Sequence, residues 1–167
     1  MKTAIYSGSF DPVTKGHEEV IRKSLKFVDR LIILITGNTN KKSWFSLEER
    51  KHMLSLVTAN SPRVEIDAWD GLLVDYMTKR DVDLIIRGLR AVADYEYELV
   101  YALTNNQLSD GRIDTIFIPA SRETMYLSSS GVREAAAAKA PLTLFVNDKI
   151  AEFVKTRAAE LAAPIKN

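Results

Sequence analysis

One stretch near the start of the chain reads Tyr6-Ser7-Gly8-Ser9-Phe10-Asp11-Pro12-Val13-Thr14-Lys15-Gly16-His17. An apolar run over residues 3–6 leads into it, and an amphipathic run with helical spacing follows over residues 18–28. This order predicts a strand, a glycine-containing loop and then a helix. Small residues at 7–9 let backbone amides approach an anion, and the helix start adds unpaired N–H groups and the positive end of its dipole. The stretch therefore predicts a phosphate site that His17 faces from the first helical turn; an ordinary strand-to-helix turn is the alternative.

Apolar runs alternate with helical patterns along the rest of the chain. The predicted strands are 2–6, 30–36, 63–68, 84–87 and 115–119, and the predicted helices are 16–27, 47–59, 72–79, 93–108, 130–138 and 147–161. The runs 31–35 and 84–86 are continuously apolar, which is typical of strands buried on both faces. This alternation predicts an α/β fold with a single doubly wound, five-stranded parallel sheet. We expect residues 1–167 to form one domain whose tail, 158–167, frays.

Composition excludes several classes of function. The chain has 23 Lys and Arg residues and 22 Asp and Glu residues, which leaves a formal charge of +1. It is therefore not basic overall, and its charge gives no indication of nucleic-acid binding. The chain has no cysteine, which excludes disulfides, thiolate metal sites and a cysteine nucleophile. No His, Asp and Glu spacing suits a protein metal site. The first residues show no signal-peptide pattern and no apolar run reaches membrane-spanning length, so we expect a soluble cytoplasmic protein without a membrane partner.

Charged residues follow two of the predicted strands, where ligands of such sheets bind. Lys41 and Lys42 come after the second strand and can neutralise a phosphate, although a solvated surface pair is an equally open interpretation. Arg87 ends the fourth strand, and Gly88 and Arg90 follow it. Two guanidinium groups at one strand end suit bidentate phosphate contacts. The alternative is an arginine–glutamate network that uses Glu96 or Glu98.

A serine-rich segment follows the fifth strand. Ser128, Ser129 and Ser130 enter the next helix, where they supply an N-cap and hydroxyl donors. Capping alone accounts for one serine but not for three. Trp44 and Phe45 are interpreted as packing residues, His52 as a surface or packing residue, and Asp11 as a turn residue before Pro12.

These segments together resemble a known family. Gly8-Ser9-Phe10-Asp11-Pro12 with Thr14-Lys15-Gly16-His17 resembles the H/T-x-G-H signature of the nucleotidyltransferase superfamily. The run Ile86-Arg87-Gly88-Leu89-Arg90-Ala91-Val92-Ala93-Asp94-Tyr95-Glu96-Tyr97-Glu98 is more specific and resembles the signature of the bacterial phosphopantetheine adenylyltransferases. Leu127-Ser128-Ser129-Ser130 resembles the superfamily's serine-rich motif. The resemblance runs from Thr3 to about Lys155 and implies a Rossmann-like nucleotidyltransferase fold.

The resemblance implies adenylyl transfer from ATP to 4′-phosphopantetheine, which gives 3′-dephospho-coenzyme A and pyrophosphate. By motif position it implies catalytic roles for His17, Lys41 and Arg90. The implied acceptor-binding residues are Ser9, Lys41, Leu73 and Arg87. The implied ATP-binding residues are Ser9, Phe10, His17, Gly88, Leu89, Arg90, Glu98, Thr124, Met125, Tyr126, Leu127, Ser128, Ser129 and Ser130. It further implies Mg²⁺ carried by ATP and a homohexamer.

The chain departs from the family's common pattern at two places. Ser7 stands where proline is common, so we expect a less rigid loop there. Thr124-Met125-Tyr126 replaces a more usual tryptophan-serine-phenylalanine-like run on the nucleotide side. Two rival functions remain at this point: another nucleotidyltransferase with a different acceptor, and a non-catalytic module that binds adenylates.

Overall fold

The computed structural model describes residues 1–37 and 43–163. Its strands are β1 (Thr3–Gly8), β2 (Arg30–Thr36), β3 (Val64–Trp69), β4 (Leu84–Leu89) and β5 (Asp114–Pro119). Its helices are α1 (Lys15–Ser24), α2 (Leu47–Thr58), α3 (Leu73–Arg80), α4 (Val92–Leu108), α5 (Ser129–Ala137) and α6 (Asp148–Ala162). Each predicted element is present, with ends that differ by a few residues at most.

The strands form one parallel sheet in the order β3-β2-β1-β4-β5. The predicted doubly wound α/β fold is therefore confirmed. The chain builds outward from β1 to β3 and then returns to the other side of β1 to build β4 and β5. This reversal makes the carboxyl ends of β1 and β4 the switch point, where ligands of such sheets bind.

Side chains alternate between two cores along the buried strands. In β1, Ala4 and Tyr6 face a core that α1, α2, α5 and α6 complete, whereas Ile5 faces a second core that α3 and α4 complete. The continuously apolar runs in β2 and β4 follow directly from this burial on both faces. Both layers of helices thus hold the sheet rigid beneath the switch point.

The start of α2 and the end of α6 are fixed by side-chain contacts. Ser46 caps α2 by accepting from the Glu49 amide, and Glu49 in turn accepts from the Ser46 amide at 2.7 Å. The predicted fraying of the tail 158–167 is wrong as far as Ala162, because α6 continues to that residue and Ala158 is buried in the core. The rest of that prediction, over 164–167, lies outside the described residues. Among the described residues, no helix is long and apolar enough to cross a membrane.

Candidate active site

A cavity of about 300 Å³ lies at the switch point. The ends of β1 and β4 form its floor, and the first turns of α1 and α5 form its walls. The residues that line it are Tyr6, Ser7, Gly8, Ser9, Thr14, Gly16, His17, Val20, Arg87, Gly88, Leu89, Arg90, Asp94, Glu98, Ala120, Thr124, Leu127, Ser128, Ser129 and Ser130. Most residues that the sequence assigns to a phosphate site therefore meet in one place.

His17 is held by the residue that caps its own helix. The Thr14 backbone N–H donates to Nδ1 of His17 at 3.0 Å, and the His17 amide donates back to Oγ1 of Thr14 at 3.3 Å. A backbone N–H can only donate, so Nδ1 must be unprotonated, and in the neutral ring the proton lies on Nε2. Burial and the positive charges of Arg90 and Arg87 lower the pKa of His17 to about 4. His17 is therefore a neutral donor through Nε2 at physiological pH.

The loop after β1 supports this histidine from below. Phe10 is 1% exposed, and its ring contacts those of Tyr6 and His17 at centroid distances of 5.4 and 5.0 Å. Phe10 belongs to the core and not to the cavity lining, so its side chain supports the His17 ring. Ser9 does line the cavity, and its carbonyl accepts from the buried Arg50 at 2.9 Å. The loop is thus fixed to α2.

Arg87 has a carboxylate partner within the fold. Its Nε and Nη2 donate to the two oxygens of Glu98 at 2.6 and 2.7 Å, and its Nη1 donates to the Ser7 carbonyl at 2.6 Å. The guanidinium also lies 4.8 Å from the centre of the Tyr101 ring. Burial alone would lower the pKa of Arg87, but the bonds to Glu98 outweigh it and raise that pKa. The alternative of an arginine–glutamate network is therefore confirmed, with Glu98 as the partner.

Arg90 is paired in the same way but nearer the solvent. Its Nε and Nη2 donate to Asp94 at 3.0 and 3.1 Å, and its Nη1 donates to the Leu127 carbonyl at 3.2 Å. Burial would raise the pKa of Asp94, but the bonds from Arg90 outweigh it and lower that pKa. Asp94 and Glu98 lie one turn apart on α4, so this helix places a carboxylate against each arginine. An incoming phosphate must share or replace these partners.

The serine-rich segment supplies more than a cap. Ser128 caps α5 by accepting from the Gly131 amide at 3.0 Å, and Ser129 donates to the Pro12 carbonyl at 2.8 Å. Both line the cavity together with Ser130. Thr124 also lines it and donates to Glu19, whereas Met125 and Tyr126 are exposed and lie outside the cavity lining.

Leu73 is another predicted site residue that does not line this cavity. Leu73 begins α3, is buried, and packs in the core on the opposite face of the sheet. Lys41 lies outside the described residues. The segment that follows it is anchored, because Asp11 accepts from the amides of Trp44 and Phe45 at 3.0 and 2.9 Å. Asp11 therefore ties two loops together, and the packing role predicted for Trp44 and Phe45 is confirmed.

Ser7 differs from its expectation. It lies inside β1, opposite Leu34 of β2, and is 2% exposed. Its carbonyl and, at 3.3 Å, its hydroxyl accept from Arg87. The expectation of a less rigid loop was wrong, because this position belongs to a central strand.

Several lining residues were missed by the sequence reasoning. Thr14 could have been found, since Thr14 and His17 have the three-residue spacing of a capping box. Asp94 could have been found too, as it lies four residues after Arg90 on one helix. Nothing in the sequence marked Tyr6 as a cavity residue, because it belongs to an apolar run that predicts a buried strand. Within residues 1–37 and 43–163, no group of three or more His, Cys, Asp or Glu side chains could hold a metal ion.

A family model and curated relatives match the sequence of this chain over most of its length. The cytidylyltransferase-like family model matches residues 5–135. The phosphopantetheine adenylyltransferase of Fusobacterium nucleatum is 44% identical over 160 residues, which are 96% of this chain and 98% of the relative. That of Lachnoclostridium phytofermentans is 46% identical over 154 residues, which are 92% of this chain and 94% of the relative.

A solved structure shares the fold at low identity. The bifunctional NMN adenylyltransferase/ADP ribose pyrophosphatase of Francisella tularensis, complexed with AMP and a Mn ion, has a TM-score of 0.71 at 17% identity. The match covers 96% of this chain and 51% of that one. This likeness is one of fold. The sequence matches are specific, and by them the chain belongs to the phosphopantetheine adenylyltransferase family of nucleotidyltransferases.

Proposed function

We propose that this protein transfers the adenylyl group of ATP to 4′-phosphopantetheine, giving 3′-dephospho-coenzyme A and pyrophosphate. The family relationship supports the choice of acceptor. The observation that carries the chemistry is the neutral His17, whose proton lies on Nε2 beside a cavity at the switch point. A donor of this kind suits phosphoryl chemistry, where charge develops on non-bridging oxygens in the transition state.

The proposed reaction needs positioning more than it needs a base. The acceptor phosphate is already a nucleophile, so in-line attack on the α-phosphorus requires no covalent enzyme intermediate. His17 donates from Nε2 to an α-phosphate oxygen as its charge grows. Because the Thr14 N–H fixes the ring, this donor is oriented before the substrates arrive. Arg90 and Lys41 then offset the remaining negative charge.

The two substrates occupy different sides of the cavity in this proposal. Ser9, Lys41 and Arg87 hold the acceptor, with Glu98 fixing the guanidinium of Arg87, whereas Leu73 packs in the opposite core and is left out of this proposal. ATP lies along Gly88, Leu89 and Arg90 and the segment 124–130, with Ser9, Phe10, His17 and Glu98 completing that side. Phe10 and Glu98 contribute through neighbouring residues, since Phe10 packs beneath His17 and Glu98 is paired with Arg87.

We also propose that Mg²⁺ reaches the site on the triphosphate of ATP. The donor set supports this, because the carboxylates at the cavity, Asp94 and Glu98, are engaged by arginines. The ion supplies charge neutralisation on the phosphate oxygens when it is bound. Residues of the chain orient the α-phosphate and hold the acceptor.

A cytoplasmic homohexamer is the assembly that we propose from the family relationship. The surface of α4 supports self-association, because it exposes the apolar residues Val92, Tyr97, Val100 and Leu103, each at least 60% exposed. Such a patch is typical of a surface that another protein covers. Light scattering coupled to size exclusion tests the oligomer order, and Leu103→Glu should lower the mass if this face is an interface.

An acceptor panel tests the proposed reaction against its nearest rival. Purified protein is incubated with ATP, Mg²⁺ and, in parallel, phosphopantetheine, nicotinamide mononucleotide or glycerol phosphate. Mass spectrometry should find dephospho-coenzyme A as the adenylylated product. A product formed from either other acceptor at a comparable rate would assign the protein to a different nucleotidyltransferase activity.

A further inference from the structure

Helix α1 holds residues 119–127, which run from the last residue of β5 towards α5 and are called the connection below. It does so through two side chains that lie four residues apart. Oε2 of Glu19 accepts from the Ser121 amide at 3.1 Å, from the Ser121 hydroxyl at 3.3 Å and from the Thr124 hydroxyl. Lys23 donates to the Pro119 carbonyl at 2.7 Å and lies 3.0 Å from the other Glu19 oxygen. One partly buried carboxylate thus collects donors from a segment about a hundred residues away in the chain.

The Glu19 carboxylate is a strong point of attachment because it is largely shielded from solvent and fully supplied with donors. Its side chain is 10% exposed. Burial would raise the pKa of Glu19, but the hydrogen bonds from Thr124, Ser121 and Lys23 outweigh it and lower that pKa to about 2. The carboxylate is therefore charged across the physiological range, and hydrogen bonds to a charged group are stronger than neutral ones.

The same helix packs closely on the connection at its first turn. A Cβ at Gly16 would lie 3.6 Å from Cβ of Leu127 and 3.7 Å from the Thr124 carbonyl oxygen. His17 follows directly, so the histidine and the connection are attached to one rigid element. The connection supplies Ala120, Thr124 and Leu127 to the cavity lining.

We propose that Glu19 is a positioning residue for the nucleotide side of the cavity, acting through Thr124 and Ser121. It fixes the 119–127 connection relative to His17, so that ATP meets a wall whose place is set before binding. Thr124 is one of the residues that depart from the family's common pattern, and its hydroxyl makes the contact to Glu19. The identity of the ligand as ATP rests on the proposed function. The contact of Glu19 with Thr124 and Ser121 is independent of it.

A merely structural ion pair would behave differently. Removing such a pair would lower the melting temperature and weaken the binding of both substrates equally, because the whole fold would be destabilised. A positioning contact affects ATP binding selectively, since the acceptor is proposed to bind through Ser9, Lys41 and Arg87. The ratio of the two effects therefore separates the interpretations.

The experiment compares the wild type with Thr124→Val, Thr124→Ser, Glu19→Gln and Glu65→Gln. Valine keeps the shape of threonine without the donor, and serine restores the hydroxyl. Glu65 is the matched control. It lies on β3, the sheet edge farthest from the connection, and its carboxylate pairs with Arg30 and Arg80. Each protein is assayed by calorimetric titration with Mg²⁺–ATP, by acceptor KM and by amide hydrogen exchange of peptides covering 119–127.

We expect Thr124→Val and Glu19→Gln to weaken ATP binding by about tenfold, the effect of losing one charge-assisted hydrogen bond. Exchange across 119–127 should accelerate in these two variants, and the acceptor KM should stay within about twofold. Thr124→Ser should behave like the wild type in all three assays. Glu65→Gln should leave ATP binding, the acceptor KM and exchange across 119–127 unchanged.

Three results would overturn the proposal. They are unchanged exchange in both Thr124→Val and Glu19→Gln, faster exchange with unchanged ATP affinity, and an equal loss of ATP and acceptor binding. If Glu19→Gln does not fold, Thr124→Val and Thr124→Ser still decide the matter. A wild type that binds ATP but adenylylates no acceptor would contradict the proposed function alone, because exchange and ATP titration would still judge the role of Glu19.

Discussion

His17 offers the sharpest test of the mechanism because its two ring nitrogens have separable tasks. Nδ1 accepts from the Thr14 N–H at 3.0 Å, and Nε2 carries the proton that is proposed to be donated to the α-phosphate. His17→Asn places an amide oxygen where Nδ1 was, so the cap is kept while the Nε2 donor is lost. His17→Ala loses both. The pair of variants therefore divides the cost of the donor from the cost of the cap.

The expected magnitudes follow from these contacts. Both variants should lose about two to three decades in kcat, the effect of removing one preorganised donor to a developing oxyanion. Only His17→Ala should lose about 1 kcal/mol of unfolding free energy, because only there is the buried Thr14 N–H left without its partner. ATP affinity should change little in either, since the donor acts mainly in the transition state.

Single-turnover rates, calorimetric ATP binding and urea denaturation measure the three quantities separately. The reasoning is refuted if His17→Asn retains near wild-type turnover. It is also refuted if ATP binding falls as far as kcat does, because His17 would then be a ground-state binding residue.

Three further predictions rest on other contacts. Arg87→Lys keeps the charge but loses the bidentate bonds to Glu98, so it should lower the unfolding free energy by about 1–3 kcal/mol. It should also raise the acceptor KM more than the Kd of ATP. Equal effects on both ligands would contradict an acceptor-specific role for Arg87. Asp11→Asn replaces one acceptor with a donor that faces a backbone N–H of Trp44 or Phe45, so denaturation should show a loss of about 1–3 kcal/mol, and an unchanged midpoint would contradict the anchoring role. The pKa of His17, about 4 in the fold, lies below the value near 6.5 of an unfolded chain, so the unfolded state binds the proton first as pH falls. Unfolding free energy should therefore fall between about pH 6.5 and 4, by at most about 1.4 kcal/mol per pH unit from this group, and His17→Asn should lack this component.

The sheet and its helices were predictable because their patterns are local. Continuous apolar runs mark strands buried on both faces, and the capping box of Ser46 with Glu49, three residues later, marks the start of α2 at Leu47. The carboxyl edge of the sheet could also be predicted, since strand–helix alternation indicates a parallel sheet, in which the loops after the strands meet at one edge. The phosphate site predicted from 6–17 lies at this edge for that reason.

The contacts that tune the site were less accessible. Sequence left the partner of Arg87 open between a phosphate and a glutamate, and only the packing of α4 against β4 brings Glu98 to it. The contact between Glu19 and Thr124 joins residues about a hundred positions apart, a distance over which no periodicity carries information. Leu73 read as a site residue only through resemblance, whereas α3 turns it into the opposite core. Side-chain partners across the chain are set by packing, and packing follows from the fold as a whole.

The central claim is that this cavity joins ATP to 4′-phosphopantetheine, and pyrophosphate release tests it most directly. Pyrophosphate is measured with ATP alone, with the acceptor alone and with both, for the wild type and for His17→Asn. Release by the wild type only when both substrates are present, reduced by two to three decades in His17→Asn, is the predicted result. Release from ATP alone at the same rate, or none with both substrates present, would contradict the account.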